Sequence, residues 1–217
     1  MDIKKILTYT PALQIDASAK EVKERFHERQ ATHLPVVNDQ EFMGCISLED
    51  NHSIEANNTL ADHQYLLNRM FITENSNWMD ILHEFSRHKS NILPVLDSEG
   101  KYTGIIELDN FVQSLSKLAF LKEPGAILVI QTTNHHYSAS QISQIVESNN
   151  GKITGMFITS FDGNLIECTL KLNSNNINEI VQTFRRYGYE IKSEHIEDIY
   201  MEGLKERSKY LQKYLNI

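Results

Sequence analysis

Apolar and polar positions along the chain fall into short patterns that run out and restart, and one such series is written twice. In the first copy Ser18 and Glu21 form a Ser-x-x-Glu helix start, after which Val22 and Phe26 lie four apart on one helical face. An apolar run from Leu34 to Val37, a polar Asn-Asp-Gln turn and a second run from Met43 to Ser47 predict two strands. The second copy opens its helix with Asn77 as N-cap and Asp80 three residues on. It then places strands at Leu93–Leu96 and Thr103–Glu107 around an Asp-Ser-Glu-Gly turn.

At an offset of 59 residues Pro35 meets Pro94, Leu34 meets Leu93, Phe26 meets Phe85, Val22 meets Ile81 and Leu13 meets Ile72. One extra turn residue then brings Gly44 to Gly104, Leu48 to Leu108 and Asp50 to Asn110. A helix is expected after the last strand of each copy, through a polar, Asn-rich stretch (NHSIEANNTLADHQ) in the first. Each copy thus predicts a β-α-β-β-α unit, over residues 1–57 and 58–121.

The pattern changes after Lys122–Gly125, where Pro and Gly together punctuate the chain. AILVIQT reads as a buried strand, and SASQISQIVESNNG as a helix with Ile142, Ile145 and Val146 inward. KITGMFITSFDGNLIECTLKL reads as a hairpin turning at Asp162-Gly163, NINEIVQTFRRYG as a helix and YEIKSEHI as a last strand. The order β-α-β-β-α-β over 125–197 is that of a ferredoxin-like domain. Residues 198–217 carry Ile199, Leu204, Leu211 and Leu215 at roughly helical spacing and predict a terminal amphipathic helix. The fold class is α+β.

A length of 217 residues is enough to bury a core without disulfides or metals. A formal charge of −8 argues against a broad nucleic-acid surface or an anionic membrane as partner, since both require clustered Lys and Arg. Cys45 and Cys168 lie far apart in apolar strands, without a metal-ligand spacing, and read as buried thiols in a reducing compartment. The start lacks the apolar stretch of a secretory signal and no run is long enough to span a bilayer, so the expected location is the cytoplasm.

The repeated Leu-Pro-Val and the GCISLED and GIIELDN stretches resemble a tandem pair of CBS domains across about residues 1 to 120, and 125–197 resembles an ACT domain, a ferredoxin-like regulatory module. The combination resembles the bacterial acetoin-utilisation family of CBS proteins. The resemblance implies two clefts about a pseudo-twofold axis that take adenosine-containing ligands: AMP, ADP, ATP or S-adenosylmethionine. It also implies a ligand pattern of Gly, two apolar residues, Ser or Thr, any two residues, then Asp. The first copy matches at Gly44, Cys45, Ile46, Ser47 and Asp50. Asp50 can accept from both ribose hydroxyls, Ser47 at a helix start suits a phosphate, and Ala12, Leu13, Leu34, Pro35 and Val36 would be the apolar walls. The second cleft, with Ile72 and Pro94, departs from the pattern. Glu107 replaces Ser and would repel a phosphate, while Asn110 replaces Asp and accepts through one oxygen. At most one competent site is expected.

Ser47 and Asp50 also make a Ser-x-x-Asp helix start that binds nothing beyond backbone. His135 and His136 are adjacent, which on a strand points them opposite ways, and no third ligand follows at a sensible spacing. In the ACT-like part, the turn from Thr132 to Ser140 lacks the Gly of amino-acid-binding relatives. None of the sequence signatures of nucleotide-hydrolysing, dinucleotide-binding, serine-hydrolase or zinc-protease sites occurs, so a non-enzymatic protein without metal or resident cofactor is expected. Two functions fit: a regulatory sensor of an adenosine-containing ligand, assembled as a homodimer and acting on an unidentified protein, or a ligand-free interaction module built on the same folds.

Overall fold

The computed structural model describes residues 3–55 and 57–192. The terminal helix expected over 198–217 and the end of the last strand lie outside them. Two compact units divide the chain, 1–118 and 119–217. The division falls ahead of Lys122–Gly125, so the short helix over 119–122 belongs to the second unit. There the Phe120 and Phe157 rings meet tilted, with centroids 5.6 Å apart, and Lys171 Nζ donates to the Leu121 carbonyl at 3.2 Å.

In the first unit each repeat is a three-stranded sheet with one helix between its first two strands. The first repeat runs β1 (Leu13–Gln14), α1 (Ala19–Arg29), β2 (His33–Asn38) and β3 (Glu41–Ser47); the second runs β4 (Ile72–Thr73), α2 (Trp78–His88), β5 (Ile92–Leu96) and β6 (Tyr102–Glu107). β1 is parallel to β2 and β2 antiparallel to β3, with Leu13 beside Val36 and Pro35 beside Cys45. The second repeat copies this with Ile72 beside Val95 and Pro94 beside Ile105. The helices begin as the pattern predicts and both end on a left-handed residue. Ser18 accepts from the Glu21 amide, Asn77 and Asp80 close a reciprocal capping box, and the C-caps Gln30 and Lys89 both adopt left-handed backbone with φ of 52° and 49°.

The repeats are interlocked. Thr8, ahead of β1, exchanges backbone hydrogen bonds with Ile105 of β6, and Asn68, ahead of β4, exchanges them with Cys45 of β3. Each repeat therefore adds a segment to the other's sheet edge. Gly44 and Gly104 sit under these crossings. A Cβ on Gly104 would stand 2.7 Å from the Thr8 carbonyl oxygen, and one on Gly44 3.0 Å from Leu67 Cβ, so the glycine of each motif is required by the other repeat's backbone. The two cores are shared in the same way: Ile92 and Ile105 join the first, and Ile3, Phe42 and Cys45 the second.

One expectation is corrected. Among the described residues no α-helix closes the first repeat: those of 50–66 hold two 3-10 stretches, Asp50–Ser53 and Leu60–Leu66, the latter broken at His63. Polar side chains bond locally here: Asp62 Oδ2 accepts from the Thr59 amide at 2.9 Å, and the Asn58 and His63 side chains meet, Nδ2 3.2 Å from Nε2. The second repeat does close with a helix, α3 (Leu108–Leu115), anchored by the fully buried Phe111.

The second unit begins with α4 (Ala119–Lys122) and runs β7 (Ala126–Thr133), α5 (Ala139–Ser148), β8 (Lys152–Asp162), β9 (Leu165–Asn173), α6 (Ile177–Arg186) and β10 (Glu190–Ile191). The sheet order is β10-β7-β9-β8, antiparallel throughout, which is the ferredoxin-like arrangement. Alternate residues of β7 and β9, among them Leu128, Ile130, Cys168 and Leu170, bury against Ile142, Val146, Ile180 and Phe184 of the helices. Among the described residues β8 has a strand neighbour on one side only.

Candidate functional site

Two clefts lie at equivalent places in the first unit, and each is walled by both repeats. The first, of about 420 Å3, brings Ser47, Leu48, Glu49 and Asp50 from the end of β3 against His88 and Lys89 from the end of α2, with Thr32, His33 and Asn68 between. The second, of about 640 Å3, brings Glu107, Leu108 and Asp109 against Glu28, Arg29 and Gln30 from the end of α1, with Thr10, Leu34, Pro35, Asn91 and Ile105 completing it. Both volumes fall within the roughly 300–1,000 Å3 of small-molecule sites.

In the first cleft Ser47 Oγ donates to Asp50 Oδ2 at 2.6 Å and accepts from the Asp50 amide at 2.9 Å. The pair is a local turn, and the 3-10 stretch that follows it has only four residues, so no α-helix N-terminus supplies positive potential here. Positive charge comes from the other repeat instead. Lys89 sits on the facing wall, and His88 beside it places Nε2 3.2 Å from Glu84 Oε2. His33, half-buried, holds Nδ1 3.0 Å from Thr32 Oγ1. Burial, chiefly, and the nearby His88 push its pKa below the ordinary imidazole value, against the opposing pull of Asp50 and Glu49.

The second cleft reverses the arrangement. A helix N-terminus is present, but its N-cap residue is Glu107, whose side chain makes no capping bond. Asn110 Nδ2 approaches Glu107 Oε2 at a long 3.4 Å. Glu28 and Asp109 add two more carboxylates, while Arg29 spends one guanidinium nitrogen on Thr10 Oγ1 at 3.2 Å. Where the first cleft sets Lys89 and two imidazoles against Glu49 and the Ser47–Asp50 turn, the second sets Arg29 against three carboxylates around a helix end.

Of the residues expected to build the first cleft, the structure brings together Ser47 and Asp50 there. Leu34 and Pro35 line the second cleft, Leu13 and Val36 are buried in the core, and Ala12 lies half-buried ahead of β1, on the wall of neither cleft. Of the residues assigned to the second, Glu107 lines it, Asn110 turns to Glu107, and Ile72 and Pro94 are buried. The apolar walls were assigned within each repeat, whereas the interlock supplies each cleft with side chains from the other. His88 and Lys89 and their counterparts Arg29 and Gln30 were missed. The available signal was the basic residue at each helix end just ahead of the repeated strand. His136 Nε2 rests 3.3 Å from the Tyr187 carbonyl, and among the described residues no three His, Cys, Asp or Glu side chains converge as a metal set.

The CBS-domain family model matches residues 3–50 and again 67–117, and the first unit is a CBS domain pair. No curated protein matches the sequence. Among solved structures, a CBS domain pair/ACT domain protein from Thermotoga maritima is 24% identical over 53% of this chain and 96% of that one, with a TM-score of 0.48. The CBS domain of a bacterial CNNM/CorC family Mg2+ transporter in complex with ATP is 17% identical over 53% of this chain and 87% of that one, TM-score 0.44. CBSX2 in complex with AMP is 20% identical over 52% and 95%, TM-score 0.45. Among the described residues no helix is long and apolar enough to cross a membrane.

Proposed function

We propose that the CBS pair is a non-enzymatic sensor of an adenosine-containing ligand, bound in the first cleft. The observation that carries this is the placement of Lys89 and His88 opposite the Ser47–Asp50 turn, with His33 between them, in a cleft of ligand size. Asp50, whose Oδ2 already holds the Ser47 hydroxyl, is the acceptor for ribose hydroxyls. The Lys89 ammonium on that wall suits a phosphate, which favours AMP, ADP or ATP over the sulfonium of S-adenosylmethionine. Binding acts as a population shift, because a ligand gripped by both repeats prefers one arrangement of them. Melting curves with millimolar AMP, ADP, ATP and S-adenosylmethionine test the reading. A ligand at 100 times its Kd adds about 2.7 kcal/mol of stability, and curves unmoved by all four would overturn it.

The second unit is an ACT-type regulatory module in this proposal, as in the acetoin-utilisation proteins the chain resembles. Its sheet order supports that reading. It joins two copies in a cytoplasmic homodimer through β8. Pairing two β8 edges antiparallel about Phe157 sets Lys152 of each copy against Asp162 of the other, and Phe157, Ile158 and Phe161 are exposed along that strand. Light scattering gives twice the chain mass if this is right. A proline at Thr159, which falls outside the β8–β9 register, should return the protein to monomer.

The second reading is a ligand-free interaction module. It is favoured by the closed Ser47–Asp50 turn, which is satisfied without any ligand.

A further inference from the structure

The wall between the two clefts is a small hydrogen-bonded knot at the pseudo-twofold axis. Thr32 lines the first cleft and Asn91 the second, at matching positions in the two repeats. Asn91 Oδ1 accepts from Thr32 N at 2.9 Å and lies 3.0 Å from Thr32 Oγ1, and Asn91 N donates back to that oxygen at 3.0 Å. Asn91 Nδ2 continues to the carbonyl of Gln30, itself on the wall of the second cleft, at 3.1 Å. On the other side, Thr32 Oγ1 lies 3.0 Å from His33 Nδ1 and 3.3 Å from Ser90 Oγ. Ser90 has committed its own proton to the Ile92 carbonyl at 2.6 Å.

A hydroxyl has one proton to give. While His33 is neutral with Nδ1 bare, that nitrogen competes with Asn91 Oδ1 for the Thr32 proton. When His33 carries both ring protons, Nδ1 donates to Thr32 Oγ1 and the hydroxyl proton goes to Asn91 Oδ1 at 3.0 Å, the nearer of the two remaining acceptors. The hydroxyl proton thus has three acceptors, Asn91 Oδ1, Ser90 Oγ and a bare His33 Nδ1, and charging the imidazole removes the last of them. No bond but a hydrogen bond changes, and the added proton comes from solvent.

We propose that His33 and Thr32 form a proton-set switch coupling the two clefts, in which protonation of His33 turns the Thr32 hydroxyl onto Asn91 and tightens the joint that walls the second cleft. A phosphate in the first cleft holds the proton on His33 and so sets the switch. That half rests on the nucleotide reading above; the relay itself rests on the hydrogen-bond geometry. The charged groups around His33 are His88 and Lys89 from the end of α2, and Glu49 and Asp50 from the end of β3, with Glu84 behind His88. Burial and His88 lower the His33 pKa, so the empty cleft near neutral pH holds the neutral ring.

The test uses the full chain labelled with nitrogen-15. The His33 ring nitrogens and the Asn91 side-chain amide are followed by NMR from about pH 8 to about pH 5, the span of imidazole titration. The Asn91 signals should move with the His33 midpoint, stay with it in Thr32→Ser, and lose the movement in Thr32→Val while His33 still titrates. Asn91 signals that stand still while His33 titrates overturn the relay. Should Thr32→Val fail to fold, His33→Gln leaves the Thr32–Asn91 bonds in place and must give Asn91 signals flat with pH; if they still move, the proposal fails. Added AMP at neutral pH should carry Asn91 to its acid position. AMP that raises the melting temperature without moving Asn91 overturns the coupling and leaves the nucleotide reading standing. AMP that does not bind at all overturns that reading and, with it, the ligand half of the proposal, while the pH titration still decides the relay.

Discussion

The two repeats of the first unit have nearly the same backbone and opposite chemistry at one corner. Both hold a Gly under the other repeat's strand, a left-handed residue at the end of the helix and a proline in the middle strand. After the third strand they part. The first turns on Ser47 and Asp50 and forms no α-helix, while the second places Glu107 at the N-cap of α3. The phosphate-friendly hydroxyl and the phosphate-friendly helix end have thus gone to different repeats. The lysine of the first cleft comes from the end of α2, so that part of its character was set in the other copy. Duplicated scaffolds can divide labour in this way because packing constrains the shared positions and leaves the cleft corners free to change.

The largest effect should break the equivalence of the backbones. Gly104→Ala puts a methyl 2.7 Å from the Thr8 carbonyl oxygen at a φ of 155°, whereas Gly44→Ala meets Leu67 Cβ at 3.0 Å and the Asn68 carbonyl oxygen at 3.2 Å. Both should destabilise, Gly104→Ala by about 3 kcal/mol and Gly44→Ala by about 2 kcal/mol, within the range of overpacking and backbone strain, as read by urea denaturation. Equal losses would mean that the crossings are equally tight.

Next comes the chemistry of the corners. Asp50→Ala should weaken AMP binding by roughly 10- to 100-fold, the worth of hydrogen bonds to a charged acceptor, and Asn110→Ala should leave it unchanged, by isothermal titration calorimetry. The reverse outcome would place the ligand in the second cleft. A gain of function is the sharper experiment. Glu107→Ser with Asn110→Asp returns the first repeat's residues to the second and exposes the α3 N-terminus, so the stoichiometry of AMP should rise from one per chain to two.

How far the sequence foretold this depended on whether a feature is local. Offset, capping residues and turn positions located the second and third strands of each repeat and the hairpin at Gly163, because each rests on neighbours in sequence. The helix expected after Asp50 is not there among the described residues, since a polar, Asn-rich stretch fits either a surface helix or a side-chain-bonded loop until its partners are known. The cleft walls were misassigned for a different reason. Thr8 crossing to Ile105, and Asn68 to Cys45, exchange partners between repeats, and a pattern read along one repeat carries no trace of that exchange.

The smallest expected effect concerns pH. The folded pKa of His33 lies below its unfolded value, so the unfolded chain binds the proton first and folding loses stability as pH falls through about 6.5 toward the lowered folded value. His33→Gln should remove that part of the acid loss, seen as a flatter dependence of melting temperature on pH. Equal slopes would mean that His33 is too exposed for its burial to matter.

The crossed segments also bear on how such a unit can be built. While a ribosome has released only the first repeat, β3 has no Asn68 segment to cover its edge and Thr8 has no Ile105 to dock on. The first repeat must wait, unfinished and open to wrong partners, until about the first hundred residues have emerged. Separately expressed halves should then find each other and complement, much as two strangers each holding the other's key.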